Sequence, residues 1–153
     1  MKIQSSRFGE LEVEQDTLVE LSAGMVGFPS DTSFAWIPHP NSADIAWIQS
    51  VAHENVAFPL VNAANLALGY PDVPIEKIAE QGGLSFSNPQ LLALMAVLSP
   101  SPSGPPMVNL MAPVIINAET RRGAQVVLTN SRFTTAELPP PVKRPAASGE
   151  VSR

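Results

Sequence analysis

Apolar and polar positions alternate most regularly between residues 108 and 130, where two runs rich in Val, Ile and Leu flank a short polar segment that ends in glycine. Such runs, bounded by Asn, Glu, Thr and Gly, predict the two strands of a β-hairpin. In the first strand, an unbroken period of two would place four side chains on a common face: Leu110, Ala112, Val114 and Ile116. The second strand, roughly 124–129, should turn Val126 and Leu128 to the face opposite Val127.

Two residues of this hairpin carry predictions about the backbone. Gly123 suits a turn position with positive φ, which glycine adopts without steric cost. Pro113 has no N–H to donate to a strand ladder, so we expect either a sheet edge or a bulge at that point.

The rest of the chain has shorter patterns of the same kind. Residues 3–13 predict another hairpin, with its turn at Phe8 and Gly9 and with three acids, Glu10, Glu12 and Glu14, on a solvated face. Further strands are predicted at 18–21, 34–37, 45–51 and 57–61. The apolar run 91–98 fits either a buried strand or a helix, and its length and the flanking Pro89 and Pro100 favour a strand. One short helix is predicted at 74–80, with Pro74 at its start. Many short strands with frequent turns indicate an all-β, mainly antiparallel barrel or sandwich with one or two short helices.

Length and composition indicate how many domains the chain has and in which cellular compartment it works. A chain of 153 residues fits one domain, which we assign to 1–137, followed by a Pro-rich end, 138–153, that is predicted to be disordered. The chain contains no cysteine, no apolar run near the roughly 20 residues of a membrane helix, and no apolar signal-peptide core at its start. These features predict a cytoplasmic protein that does not engage a membrane.

Charge is distributed unevenly along the chain. The net charge is −5, but residues 1–80 carry eleven acids against three bases, whereas residues 81–153 carry three acids against six bases. An acidic chain is repelled by phosphate backbones, which argues against direct nucleic-acid binding. A basic partner protein is favoured by opposite fields, with solubility alone as the alternative explanation.

The sequence contains no recognisable catalytic, metal-binding or cofactor-binding motif. Its two histidines, His39 and His53, lie in turn-rich segments, and Arg121, Arg122 and Arg132 form either an anion site or an ordinary solvated set. The residues therefore favour a non-enzymatic binding protein. Two alternatives stay open: a barrel that binds an apolar ligand in its interior, and a hydrolase that uses His53 with a nearby acid.

Four segments, in order, resemble one known family. They are Arg7-Phe8-Gly9-Glu10-Leu-Glu-Val13, Gly24-Met-Val-Gly27-Phe28, Trp47-Ile-Gln49-Ser50-Val51 followed by Ala57-Phe58, and Asn109-Leu-x-Ala-Pro-Val-x-Ile-Asn117 continued by Thr120-Arg-x-Gly123-x-Gln125-Val-x-Leu128-x-Asn130-Ser131. Together they resemble the flagellar assembly factor FliW family over about residues 1–133. The Ser/Pro-rich loop at 99–106 and the extension at 143–153 depart from that family's pattern.

The resemblance implies a small, β-barrel-like, non-enzymatic protein of the cytoplasm, which we expect to be a monomer. Members of that family bind the RNA-binding translational regulator CsrA and relieve its repression of flagellin mRNA. They also bind flagellin as a chaperone-like partner, and flagellin binding displaces their antagonism of CsrA.

Two groups of residues are candidates for partner binding. One lies in the C-terminal hairpin motif and comprises Asn117, Arg121, Arg122, Asn130 and Ser131. The other is the acidic face formed by Glu10, Glu12 and Glu14. For Asn117, Gly123 and Asn130 the alternative is a structural role, in which they cap and turn the hairpin.

Overall fold

A computed structural model describes residues 1–64 and 66–137, and the predicted disordered end, 138–153, lies outside them. The described chain has one α-helix, α1 (Ile75–Gln81), and two 3-10 helices, Gln15–Thr17 and Pro89–Leu91. Its strands are β1 (Lys2–Ser5), β2 (Gly9–Glu12), β3 (Val19–Leu21), β4 (Ser33–Pro38), β5 (Ile45–Ser50), β6 (Ala57–Asn62), β7 (Leu92–Ser99), β8 (Met107–Asn117), β9 (Arg122–Gln125) and β10 (Thr135–Glu137).

Strands β3 to β9 close into a barrel. From β3 to β8, consecutive strands pair in antiparallel fashion, and β9 fits between β8 and β3. The β8–β9 pairing is antiparallel and the β3–β9 pairing is parallel. Strand β10 extends the sheet beside the first residues of β8. The predicted all-β, mainly antiparallel, barrel-like fold with short helices is confirmed.

Apolar side chains fill the interior of the barrel. The cluster draws residues from β3 through β8, that is, from around the ring, and Phe34, Ile48 and Leu60 within it are fully buried. Barrels with few strands have an interior just wide enough for their own side chains. Met95 and Val114 complete the packing from β7 and β8.

A second apolar cluster covers the outer face of β6, β7 and β8. Helix α1 packs there through Ile78 and Ala79, and Leu94 and Leu98 face it from β7. The helix begins directly after Pro74, where the missing N–H of proline costs no helical hydrogen bond, as the sequence predicts. Strand β7 therefore has apolar side chains on both faces, which explains its nearly continuous apolar run.

Strand β8 contains a bulge, so its side chains do not alternate between the two faces as predicted. Met95 pairs with Val114, but Val97 pairs with Asn109. Residues 110–113 of β8 therefore all lie opposite a single residue of β7, Ala96. Leu110 consequently packs in the outer cluster, whereas Val114 packs in the interior. The single face predicted for Leu110, Ala112, Val114 and Ile116 is wrong, because the extra residues of a bulge shift the register of the faces. Of the two possibilities predicted at Pro113, a sheet edge or a bulge, the structure has the bulge.

The predicted C-terminal hairpin is confirmed, with differences in its second strand. β9 ends at Gln125, and residues 126–128 follow β8 only through single hydrogen bonds, such as Val126 N–H to Pro113 O at 2.9 Å. The prediction for Gly123 is wrong: the turn residue with positive φ is Arg121, at 60°. At Gly123 a Cβ would instead lie 2.6 Å from the carbonyl oxygen of Ile115, so this glycine permits a close approach of strands.

Candidate interaction sites

The N-terminal hairpin presents the predicted acidic face to solvent. Strands β1 and β2 pair in antiparallel fashion, and Glu10, Glu12 and Glu14 are all exposed. Lys2 Nζ lies 3.8 Å from Glu10 Oε2, and the N-terminal amine lies 3.2 Å from Glu12 Oε2. Exposed pairs of this kind contribute little to stability, so the carboxylates stay accessible to a partner.

Gln49 attaches this hairpin to the barrel. Its side chain is fully buried, and its Oε1 accepts a 2.7 Å hydrogen bond from Ser5 Oγ in β1. Its Nε2 lies within 3.1–3.3 Å of four carbonyl oxygens, those of Ser50, His53, Glu54 and Val56. Gln49 therefore sets the position of the acidic face. The sequence signal for it was a lone amide within the apolar run 45–51.

Aromatic contacts support the same attachment. The rings of Phe8, in the hairpin turn, and Trp47, on β5, meet edge to face with centroids 5.6 Å apart. The guanidinium carbon of Arg7 lies 4.3 Å from the Trp47 ring centroid. Such contacts add to the burial of the rings themselves.

Asp31, Ser50 and His53 form a polar cluster beside β5. The buried carboxylate of Asp31 accepts a 2.5 Å hydrogen bond from Ser50 Oγ and lies 2.6 Å from His53 Nδ1. Burial raises the pKa of Asp31, but the hydrogen bonds from Ser50 and His53 and the charge interaction with His53 outweigh it and hold that pKa below its ordinary value.

The cluster does not have the geometry of a catalytic triad. In a triad the histidine lies between the nucleophile and the acid, whereas here the serine and the histidine contact the same carboxylate oxygen. Ser50 Oγ also accepts the backbone N–H groups of Ala52 and His53, which makes it a turn residue. This arrangement does not favour the hydrolase alternative.

The turn between β8 and β9 holds three of the predicted site residues. Asn117 is buried; its Nδ2 donates to Ser85 O at 3.0 Å, and its Oδ1 accepts from Glu119 N at 2.8 Å. This geometry fits the capping role that was the alternative for Asn117. Arg121 is half-buried, and only Arg122 is exposed.

Asn130 and Ser131 lie near the opposite end of β8. Asn130 is exposed, and Ser131 Oγ donates a 2.7 Å hydrogen bond to Asp72 Oδ1. That bond is the main cause that lowers the pKa of Asp72, and the Arg132 backbone N–H at 2.9 Å adds to it. Arg132 therefore lies far along the strand from Arg121 and Arg122, so the structure does not assemble the anion site considered from sequence.

The predicted site residues thus fall in three separate places rather than in one. A cavity of about 820 Å³ lies elsewhere, at the barrel end where the β4–β5 loop meets Trp36, Ala93 and Met95. It is a cavity at the mouth, because the interior is filled by side chains, and this arrangement does not favour an apolar ligand bound inside the barrel.

Within the described chain, no group of three or more acidic or histidine side chains is placed to hold a metal ion. None of its helices has the length and apolar content needed to cross a membrane.

Fold and surface together define a small closed β-barrel with a separate acidic hairpin packed on its outside. The chain belongs to the FliW family: the family model described as FliW protein matches residues 2–138. It is 33% identical over 130 residues to the flagellar assembly factor FliW of Syntrophotalea carbinolica, covering 85% of this chain and 91% of the relative. It is 30% identical over 135 residues to that of Geotalea uraniireducens, covering 88% and 82%.

The comparison of structures agrees with the comparison of sequences. A crystal structure of the flagellar assembly factor FliW aligns with a TM-score of 0.78 at 27% identity, covering 92% of this chain and 99% of that one. The family expected from the four sequence segments is confirmed.

Proposed function

We propose that this chain is a cytoplasmic flagellar assembly factor that acts by binding other proteins and not by catalysis. Its partners are a CsrA-type regulator, whose repression of flagellin mRNA it relieves, and flagellin itself, which it binds as a chaperone-like partner. The observation that carries the proposal is the family match over residues 2–138, which spans the whole barrel and the acidic hairpin.

The charge of the N-terminal hairpin supports the regulator as a partner. An RNA-binding protein must present a basic surface to phosphates, and an acidic surface is attracted to it. Glu10 and Glu12 are exposed on β2, and exposed Glu14 and Asp16 follow them at the 3-10 helix Gln15–Thr17. Binding at this face would cover or electrostatically oppose the RNA site of the regulator.

A calorimetric titration with the CsrA of the same genome tests this proposal. The triple variant E10K/E12K/E14K should weaken binding at least tenfold at low ionic strength, and the difference should shrink as salt screens the charges. The matched control is E76K/E80K, which reverses two exposed acids on α1, outside the hairpin. Equal affinity of both variants and the wild type would remove the acidic face from the interface.

Preloading the protein with monomeric flagellin tests the second partner. Under the proposed function, flagellin should reduce or abolish the heat observed with CsrA. Heat with CsrA that flagellin leaves unchanged would refute the partner exchange. Folded protein that gives no heat with either partner would refute the proposed function as a whole.

A further inference from the structure

Three segments of the chain contain no charged side chain. No Asp, Glu, Lys or Arg occurs in residues 21–30, 81–118 or 123–131. Depletion of charge, combined with exposed apolar side chains, distinguishes the core of a protein interface from ordinary surface.

Gln125 joins these three uncharged segments at one place. Its Oε1 accepts the N–H of Val26 at 2.7 Å, and its Nε2 donates to Ala112 O at 3.0 Å. Exposed apolar residues lie close to these bonded groups along the chain: Val26 is 62% exposed, Val127 47% and Met111 41%. We call these three residues, with the adjacent exposed Phe28, the Gln125 patch.

A free strand edge borders the Gln125 patch. The N–H groups of Val126 and Leu128 point to β8, where they donate to Pro113 O and Met111 O. In an extended chain the backbone groups of Val127 then point the other way. Strand β3 pairs with β9 only at Arg122 and Gly123, so the hydrogen bonds within 1–64 and 66–137 leave the N–H and C=O of Val127 without a partner.

We propose that an extended, uncharged segment of flagellin adds to this edge as a strand, with its apolar side chains on the Gln125 patch. The proposal rests on the proposed function and names the surface for one of its two partners. Strand addition to an open edge supplies main-chain hydrogen bonds, and flanking apolar positions supply selectivity for alternate side chains.

The chemistry of the surface separates flagellin from the other possible occupants. A subunit that polymerises exposes, before assembly, apolar surface that the polymer later buries, and an uncharged apolar patch suits such surface. The regulator must present basic surface, which suits the acidic hairpin instead. The chain's own end, 138–153, contains four prolines, which cannot donate to a ladder, and four charged residues, which would lose water at the patch.

Titration of monomeric flagellin into three variants tests the proposal. V127K keeps the edge N–H but places a charge on the patch, and V127P keeps apolar character but removes the N–H, which serves no internal bond. Both should weaken flagellin binding at least tenfold with an unchanged thermal midpoint. The matched control is L68K, because Leu68 is 95% exposed and lies outside the patch. L68K should bind flagellin as the wild type does, and V127K should bind CsrA as the wild type does.

Each other outcome overturns a defined part of this inference. Wild-type affinity of V127K for flagellin removes the patch from the interface while the proposed function stands. Wild-type affinity of V127P, with loss in V127K, overturns strand addition. A wild-type dimer in sedimentation that V127K dissociates would make a second copy the occupant. Absence of flagellin binding by the wild-type protein overturns both the inference and the flagellin part of the proposed function.

Discussion

Replacing Gly123 by alanine tests the account of how the barrel closes. Gly123 lies in β9, where it pairs with Ile116 of β8 on one side and Leu21 of β3 on the other. An added Cβ would lie 2.6 Å from Ile115 O, 3.0 Å from Ile116 Cγ1 and 3.0 Å from Leu21 Cδ2. The first of these atoms belongs to the backbone of the β8–β9 ladder, so it cannot move without shifting that ladder.

The expected loss of stability follows from three contributions. Overpacking a well-filled site costs about 1–3 kcal/mol, and loosening one ladder hydrogen bond costs about 1 kcal/mol. Alanine restricts the unfolded chain more than glycine does, which offsets about 0.5–1 kcal/mol. The net change is a destabilisation of about 1–3.5 kcal/mol, which for a chain of this size lowers the thermal midpoint by about 2–14 °C.

Guanidinium denaturation followed by circular dichroism measures this change, with the m-value as a check that the unfolding transition is comparable. The control is G104A, because Gly104 has only Ser101 Oγ, at 3.8 Å, near its missing Cβ. G104A should match the wild type to within about 0.5 kcal/mol. Equal stability of G123A and G104A would refute the argument that close strand approach requires glycine at the closing strand.

Two further substitutions test the polar contacts. D31N should make the free energy of unfolding depend less on pH below pH 4. The pKa of Asp31 is lower in the folded protein than its unfolded value near 3.9, so the stability that its carboxylate contributes is present above pH 4 and is lost as pH falls further. Urea midpoints between pH 2.5 and 6 measure this, and an unchanged slope would contradict the assignment. Q49E should cost about 2–4 kcal/mol, because a buried carboxylate cannot donate to the carbonyls that Gln49 Nε2 contacts. Thermal melts against Q4E, at an exposed position of β1, would measure this, and equal midpoints would contradict it.

Local patterns were enough to predict most of the elements. Period-two alternation located the strands, and proline at the helix start located α1, because both depend on residues near in sequence. The exposure of Glu10, Glu12 and Glu14 followed from the same alternation. The bulge at Pro113 also followed locally, since a missing N–H interrupts any ladder.

Long-range partners decided what the sequence alone could not predict. The number of residues in the β8 bulge depends on Ala96 of β7 and on the Asn109 side chain, which accepts the N–H groups of Met111 and Ala112. The faces of all later β8 residues depend on that number. In the same way, the role of Gly123 depends on Leu21, about a hundred residues earlier, because the parallel β3–β9 pairing was not visible in any local pattern.

Closure of the barrel and the open edge beside the Gln125 patch have a common cause. β9 can close the ring because it is short and pairs on both sides, but the β8 bulge begins where β9 ends. Beyond that point, Pro113 accepts a hydrogen bond from Val126 N–H but has no N–H of its own to donate to Val126. The chain therefore follows β8 without forming a full ladder. The outer edge of residues 126–128 therefore stays unpaired within the described chain, next to exposed Val26 and Met111. The bulge that breaks the predicted alternation in β8 thus also creates the surface at which we propose that flagellin binds.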